Sequence, residues 1–380
     1  MAVSRFPRNQ RLPHCSYPRG ANHADVVQAY QRWRDEIVTG EGASGLLRPR
    51  RPDTPDGVAN STVSEGVAYG MLIGVMIDDQ ALFDAMFGYA LRYFNQNGLM
   101  DWYIAPDGGA PLARGAATDA DEDMAWALLM AHRQWGGRGA LARDYSSFAE
   151  QLIEAIWTCE VDHDRYPYML LPGDDWRGQN VFNPSYFAPH QYRLFGEVSG
   201  KQADWQRVID VGYEILDRCQ SRREGNQENG LVPAWCDFEG RPVEAFPGAP
   251  ENHQYDSARL PFRVGQDWAY HREPRARIYL ERVSAFFARI GAGGIVDGYR
   301  LDGTPAPDPK SAVPNPGSAV FVGGVAVAAM HDARHQQLLD ECYARLATGE
   351  LLARSRYYNL SWTVLSLMML TGNFVALRAT

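Results

Sequence analysis

The sequence predicts an all-α chain folded as an (α/α)6 barrel, with six helical hairpins in a toroid and twelve helices in inner and outer rings. Three observations lead there. Apolar residues recur every three to four positions in twelve segments. Long and short connections alternate between those segments. The even-numbered segments are the more apolar, as an inner ring wrapped by an amphipathic outer ring requires.

Taken in order, the segments are 23–39, 63–77, 81–95, 121–135, 142–159, 185–196, 203–220, 256–271, 274–290, 318–330, 333–346 and 357–370. Val67, Met71, Ile73 and Val75 carry the period in the second, and Met124, Leu128, Ala131 and Trp135 in the fourth. Leu360, Val364, Leu367 and Met368 carry it in the last. The tenth, running from Ala319 to Met330, also fits a buried strand, but its length favours a helix packed on all sides. Connections after even segments are short: 78–80, 136–141, 197–202, 272–273 and 331–332. Those before them are mostly long: 40–62, 96–120, 160–184, 221–255 and 291–317. In a ring of up–down helices every second connection emerges on one side. The long loops, the usual carriers of function, therefore gather above the N-termini of the even helices. Nothing after residue 22 reads as a linker, so 23–380 is expected to be one domain behind an N-terminal extension at 1–22.

Composition narrows the class. The 380 residues are 45% hydrophobic and 22% charged, which suits a globular chain. A net charge of -9 argues against a nucleic-acid partner, and no apolar run is long enough for a membrane span. Lysine is confined to Lys201 and Lys310, and the five cysteines show no CxxC spacing, so buried free thiols are expected. Aromatic residues make up 12%, with ten Trp and nineteen Tyr. That is more than a core needs and points to platforms for a flat ligand.

Three acids fall at starts of even helices: Glu65 in Ser-Glu-Gly, Asp119 in Thr-Asp-Ala-Asp-Glu-Asp, and Asp256 in Tyr-Asp-Ser-Ala-Arg. Helix caps are the plain alternative for each one alone. Three on one rim, among aromatic loops, suit glycoside cleavage, which needs one carboxylic acid and one carboxylate. The aromatics are Trp102 and Tyr103 in 96–120, Trp176 in 160–184, Trp235 in 221–255, Tyr186 at the sixth helix, Tyr255 beside Asp256, and Tyr357 and Tyr358 at the twelfth. The rings of Trp102, Trp176, Tyr186, Trp235 and Tyr255 are the candidate substrate-binding set.

Ser61-Thr-Val-Ser-Glu-Gly with Tyr69-Gly, Ala117-Thr-Asp-Ala-Asp-Glu-Asp-Met-Ala125 and Asn183-Pro-Ser-Tyr-Phe-Ala-Pro189 carry a resemblance. So do Leu231-Val-Pro-Ala-Trp235, Tyr255-Asp-Ser-Ala-Arg259, Gly294-Ile-Val-Asp-Gly298 and Thr371-Gly-Asn-Phe374. In order over about residues 20–375, they resemble glycoside hydrolase family 8, nearest its endoglucanase branch. The resemblance implies an inverting, endo-acting hydrolase of β-1,4-linked polysaccharide, most simply β-1,4-glucan, with xylan or chitosan as alternatives. It makes Glu65 the general acid, Asp256 the general base, and Asp119 the acid that holds the cleaved sugar in a distorted shape. Arg259 would lie near the catalytic water, and one of Tyr357 and Tyr358 would help hold it. Trp102 and Trp235 match aromatic subsites. Ala68 departs from a glycine common in the family.

No cofactor or metal is expected; the acids of 119–123 lack the glycine and the twelfth-position Glu of an EF-hand. The partner is a poly- or oligosaccharide, with neither nucleic acid nor membrane, and a monomer is the default. A polymeric substrate implies secretion, although the first eight residues show no signal peptide. Competing classes are a non-catalytic carbohydrate-binding toroid, a polysaccharide lyase and a terpene cyclase. The first lacks support because acid and base are both present. The lyase would want a basic cleft, and the cyclase a second Asp-rich motif.

Overall fold

A computed structural model describes residues 5–54, 57–307 and 316–377; Lys310 and part of the 291–317 connection lie outside them. Its α-helices are α1 (His23–Ile37), α2 (Ser64–Ile77), α3 (Gln80–Ala90), α4 (Thr118–Trp135), α5 (Tyr145–Cys159), α6 (Pro189–Ser199), α7 (Gln202–Cys219), α8 (Leu260–His271), α9 (Pro274–Ile290), α10 (Ala319–Ala329), α11 (Gln336–Ala347) and α12 (Arg356–Leu370). Each predicted segment has its helix, and 318–330 is helical.

The even helices form a closed inner ring. α2 packs on α4, α4 on α6, α6 on α8, α8 on α10, α10 on α12, and α12 again on α2. The odd helices pack outside, α3 on α2 and so on round to α1 on α12. Burial follows the sequence. All eleven residues of α10 are buried, whereas α7 buries one stripe through Trp205, Val208, Ile209, Gly212, Leu216 and Cys219. Burying one such aliphatic side chain stabilises the fold by about 1.5–3 kcal/mol. A helix apolar on all sides therefore has its lowest free energy inside the ring.

Four helices begin three or four residues later than the apolar period suggests: α5 at Tyr145 rather than 142, α11 at Gln336 behind a 3-10 turn over Ala333–His335, and α6 and α8. Pro184–Tyr186 and Tyr255–Arg259 are 3-10 turns, and α6 and α8 start behind them at Pro189 and Leu260. Proline at 184, 189 and 261 fits only the first turn of a helix, where its missing N–H costs nothing. Tyr255 takes a left-handed φ of 49° at the entry.

Among the described residues five very short strands went unpredicted, because two or three residues show no alternation. β1 (Val38–Thr39) pairs with β2 (Arg48–Pro49), and β3 (Thr62–Val63), β4 (Tyr103–Ile104) and β5 (Pro111–Ala113) form an antiparallel sheet. β3 runs directly into α2, and Ser64 N donates to Trp102 O at 2.9 Å. The sheet thereby fixes the loop bearing Trp102 against the helix bearing Glu65. None of the five cysteines is in a disulfide. Among the described residues no helix is long and apolar enough to cross a membrane.

Candidate active site

Glu65, Asp119 and Asp256, far apart in sequence, meet on one guanidinium at the long-loop end of the ring. Arg259 Nη1 donates to Glu65 Oε2 at 2.9 Å, to Asp119 Oδ2 at 2.5 Å and to Tyr69 OH at 2.9 Å. Its Nη2 donates to Ser185 Oγ at 2.9 Å and lies 3.3 Å from Asp256 Oδ1. Tyr357 OH donates to Glu65 Oε1 at 3.0 Å, and Tyr69 OH to Glu65 Oε2 at 3.3 Å. The side chains of Arg259 and Asp119 are 1% and 2% exposed, those of Glu65 and Asp256 23% and 30%. A buried pair thus supports two acids that solvent, and a ligand, can reach.

None of the three is a cap. The N-cap residues of α2 and α4 are Val63 and Ala117, without side-chain cap bonds. Asp256 lies inside the 3-10 turn, where positions three apart eclipse, so Asp256 and Arg259 stand on one face. The Asn-Pro-Ser segment has a matching task. Asn183 Oδ1 accepts from Ser185 N and Oγ at 3.0 and 2.8 Å, and its Nδ2 donates to Asp256 Oδ2 at 3.3 Å. Gly66 explains the glycine after the acid. A Cβ there would lie 2.8 Å from the ring and hydroxyl of Tyr357, so only glycine lets Tyr357 reach Glu65.

One positive charge faces three carboxyls. Burial, and then the charge of Glu65, push Asp119 up to about 7 despite Arg259. Burial likewise holds the Tyr357 and Tyr358 phenols well above their ordinary value, so both stay protonated donors. The other acids of the run fan round α4 to separate partners. Asp121 Oδ1 accepts from Met100 N at 3.2 Å, Glu122 Oε2 from Tyr192 OH at 2.7 Å, and Asp123 Oδ2 from Arg263 Nη2 at 2.9 Å.

A cavity of about 300 Å³ opens over the acids. Trp102, Tyr186, Tyr255, Tyr357 and Tyr358 line it together with Arg51, Asp297, Arg354 and Asn359. Trp102 is 39% exposed and stacks on Tyr103 at 5.0 Å. Trp176 and Trp235 are not in its wall. They stack on each other at 5.8 Å, and Trp235, 5% exposed, meets the edge of Tyr186. The two tyrosines of α12 differ. Tyr357 is committed to Glu65, while the buried hydroxyl of Tyr358 has no hydrogen-bond partner.

Tyr69, Asn183 and Ser185 were not singled out from the sequence as site residues. For Tyr69 the signal was present, four residues after Glu65 on the same helical face. For Asp297 the signal was its place in the Gly294-Ile-Val-Asp-Gly298 motif, and for Arg51 and Arg354 there was none. Arg354 Nε donates to Asp297 Oδ2 at 2.6 Å, and its guanidinium lies 4.5 Å over the Tyr255 ring.

A model of the Glycosyl hydrolases family 8 matches residues 5–372. The chain belongs to this family. It is therefore a glycoside hydrolase that cleaves O-glycosyl bonds with inversion. Endoglucanase A of Acetivibrio thermocellus is 36% identical over 386 residues, covering 98% of this chain and 75% of that protein. A reducing-end xylose-releasing exo-oligoxylanase of Paenibacillus barcinonensis is 26% identical, covering 77% and 79%. The apo β-1,3-1,4-glucanase structure from Paenibacillus sp. X4 superposes with a TM-score of 0.84 at 24% identity, covering 97% of this chain and 98% of that one. That likeness supports the twelve-helix barrel of family 8.

Proposed function

We propose that this family 8 member is an endo-acting β-1,4-glucanase in which Glu65 is the general acid, Asp256 the general base and Asp119 the anchor for a distorted sugar. The observation that carries the assignment of roles is the meeting of the three acids on Arg259 beneath an aromatic-lined cavity. The glucan reading is supported by the relative at 36% identity, which is named an endoglucanase, while the oligoxylanase stands at 26%. Chitosan, a cationic chain, is poorly served by a cleft in which Arg51 and Arg354 stand among the acids.

In the reaction, Glu65 gives its proton to the glycosidic oxygen as the bond breaks, and Asp256 takes a proton from water attacking the anomeric carbon on the opposite face. Neighbouring carboxyls share the protons they hold. Burial favours a proton on Asp119 to about neutral pH. With a sugar in the cleft and water displaced, the proposal places that proton on Glu65. Asn183 aims the Asp256 carboxylate, and Arg259 holds it in place. Of the two tyrosines, the proposal gives Tyr357 to Glu65 and leaves the unpartnered Tyr358 hydroxyl for the attacking water. Secretion is proposed on the ground that a polymeric glucan lies outside the cell.

The test is hydrolysis of carboxymethylcellulose, mixed-linkage β-glucan, xylan and chitosan, with viscosity followed beside reducing ends. A fast fall in viscosity on the two glucans is expected. Preference for xylan or chitosan, or release of single sugars only, would refute the substrate or the endo mode.

A further inference from the structure

At the short-connection end of the ring, away from the cleft, three side chains that play no part in hydrolysis converge. Glu281 lies on α9, His331 follows α10, and His335 ends the 3-10 turn before α11. One ligand atom from each lies within 4.8 Å of the others. We propose that Glu281, His331 and His335 form a binding site for a divalent transition-metal ion, zinc being the best fit, which ties α9 to the α10–α11 hairpin.

The distances carry this. His331 Nε2 is 2.9 Å and His335 Nε2 3.5 Å from Glu281 Oε2. A tetrahedral zinc ion with arms of about 2.0–2.1 Å has ligand–ligand edges of roughly 3.3 Å, and the two observed edges bracket that value. The outer shell is set as well. His331 Nδ1 lies 2.8 Å from Ala328 O, and a carbonyl only accepts, so Nδ1 carries the hydrogen and Nε2 is the nitrogen turned to the site. This carbonyl-oriented imidazole is the usual support of a metal-bound histidine. His331 and His335 are 4% and 8% exposed, while the Glu281 side chain is 37% exposed and gives an ion a way in.

One group competes. Arg334 Nη2 donates to Glu281 Oε2 at 2.9 Å and to Asp332 Oδ2 at 3.1 Å. Its side chain is 64% exposed, so it can leave Oε2 and keep Asp332. The metal takes the place of the protons between the imidazoles and the carboxylate, and two histidines, one carboxylate and a water complete four-coordination.

The full chain, stripped with chelator and dialysed, is titrated with zinc chloride by calorimetry and with cobalt chloride by visible absorption. Expected are one equivalent of zinc, the intense bands of tetrahedral cobalt, and a Tm higher by at least about 2 °C with zinc in excess. His331→Ala and His335→Ala should each weaken zinc binding by about tenfold or more, the loss that even outer-shell changes produce. Arg334→Ala should tighten it. Zinc should leave glucan turnover unchanged. The proposal is overturned if the wild-type chain takes up no zinc, or if both histidine variants bind it as the wild type does. Should a histidine variant fail to fold, the Arg334→Ala titration and the wild-type cobalt spectrum decide. Unchanged zinc affinity in that variant together with octahedral, weak cobalt bands would overturn it equally.

Discussion

Arg259 Nη1 donates to Glu65 Oε2 at 2.9 Å across 194 residues of sequence. The sequence shows Arg259 as the partner of Asp256, three positions away. The structure makes it the shared counter-charge of the whole acid cluster.

Glu65→Gln should lower kcat on unactivated glucan by about 10²–10⁴-fold, the range of general acid–base catalysis. A glucoside with a good leaving group, which needs no acid, should lose far less. Reducing-end release and chromophore release measure the two. Equal losses would count against Glu65 as the acid.

Asp119 carries a pH signature. Its native value of about 7 lies above the ordinary 3.8. Its contribution to stability is therefore fully present below about pH 4 and lost as the pH rises through about 7, because native Asp119 binds a proton that the unfolded chain has released. Asp119→Asn does not titrate. Its Tm relative to wild type should rise between about pH 4 and pH 8 while turnover falls. Melting curves across that range check the sign.

Arg259→Met leaves buried Asp119 beside Glu65 without a counter-charge. Removing one partner of a buried pair costs about 3–5 kcal/mol. The loss should be largest above pH 7 and shrink towards about pH 5, where Asp119 has taken up its proton. Urea unfolding at both pH values measures it.

Gly66→Ala should act as a catalytic lesion with a modest structural effect. The new methyl displaces Tyr357 from Glu65. A fall in kcat of about tenfold with little change in KM is expected, equal to one hydrogen bond at about 1.4 kcal/mol. Tyr357→Phe should reproduce it, and the double variant should add little.

Trp102→Ala removes an exposed ring from the cleft wall. A loss of about tenfold in kcat/KM on glucan, carried mainly by KM, is expected from apolar area no longer covered by sugar. Trp235→Ala should instead lower Tm, since that ring is packed between Trp176 and Tyr186.

The helices were legible because the inner ring leaves an unmistakable print: α10 has no charged residue at all and α12 only Arg356. Boundaries failed where proline and a left-handed Tyr255 insert 3-10 turns ahead of α6 and α8, features that an apolar period does not register. The acids were legible through their place at helix starts and the motifs around them. Their joint dependence on Arg259 was not, because contacts 140 and 194 residues apart leave no local pattern. The histidine–glutamate cluster escaped for the same reason: its glutamate lies 50 residues before the first histidine.

The closure of the inner ring, α12 onto α2, has a consequence for how such a molecule arises. Glu65 comes from the first sector of the circle, Asp119 from the next, Asp256 and Arg259 from beyond its midpoint, and Tyr357 from the last. A nascent chain therefore has an incomplete catalytic apparatus until its final helix, which carries Tyr357, has docked beside its second. The barrel is a lock whose last tumbler is also its first neighbour.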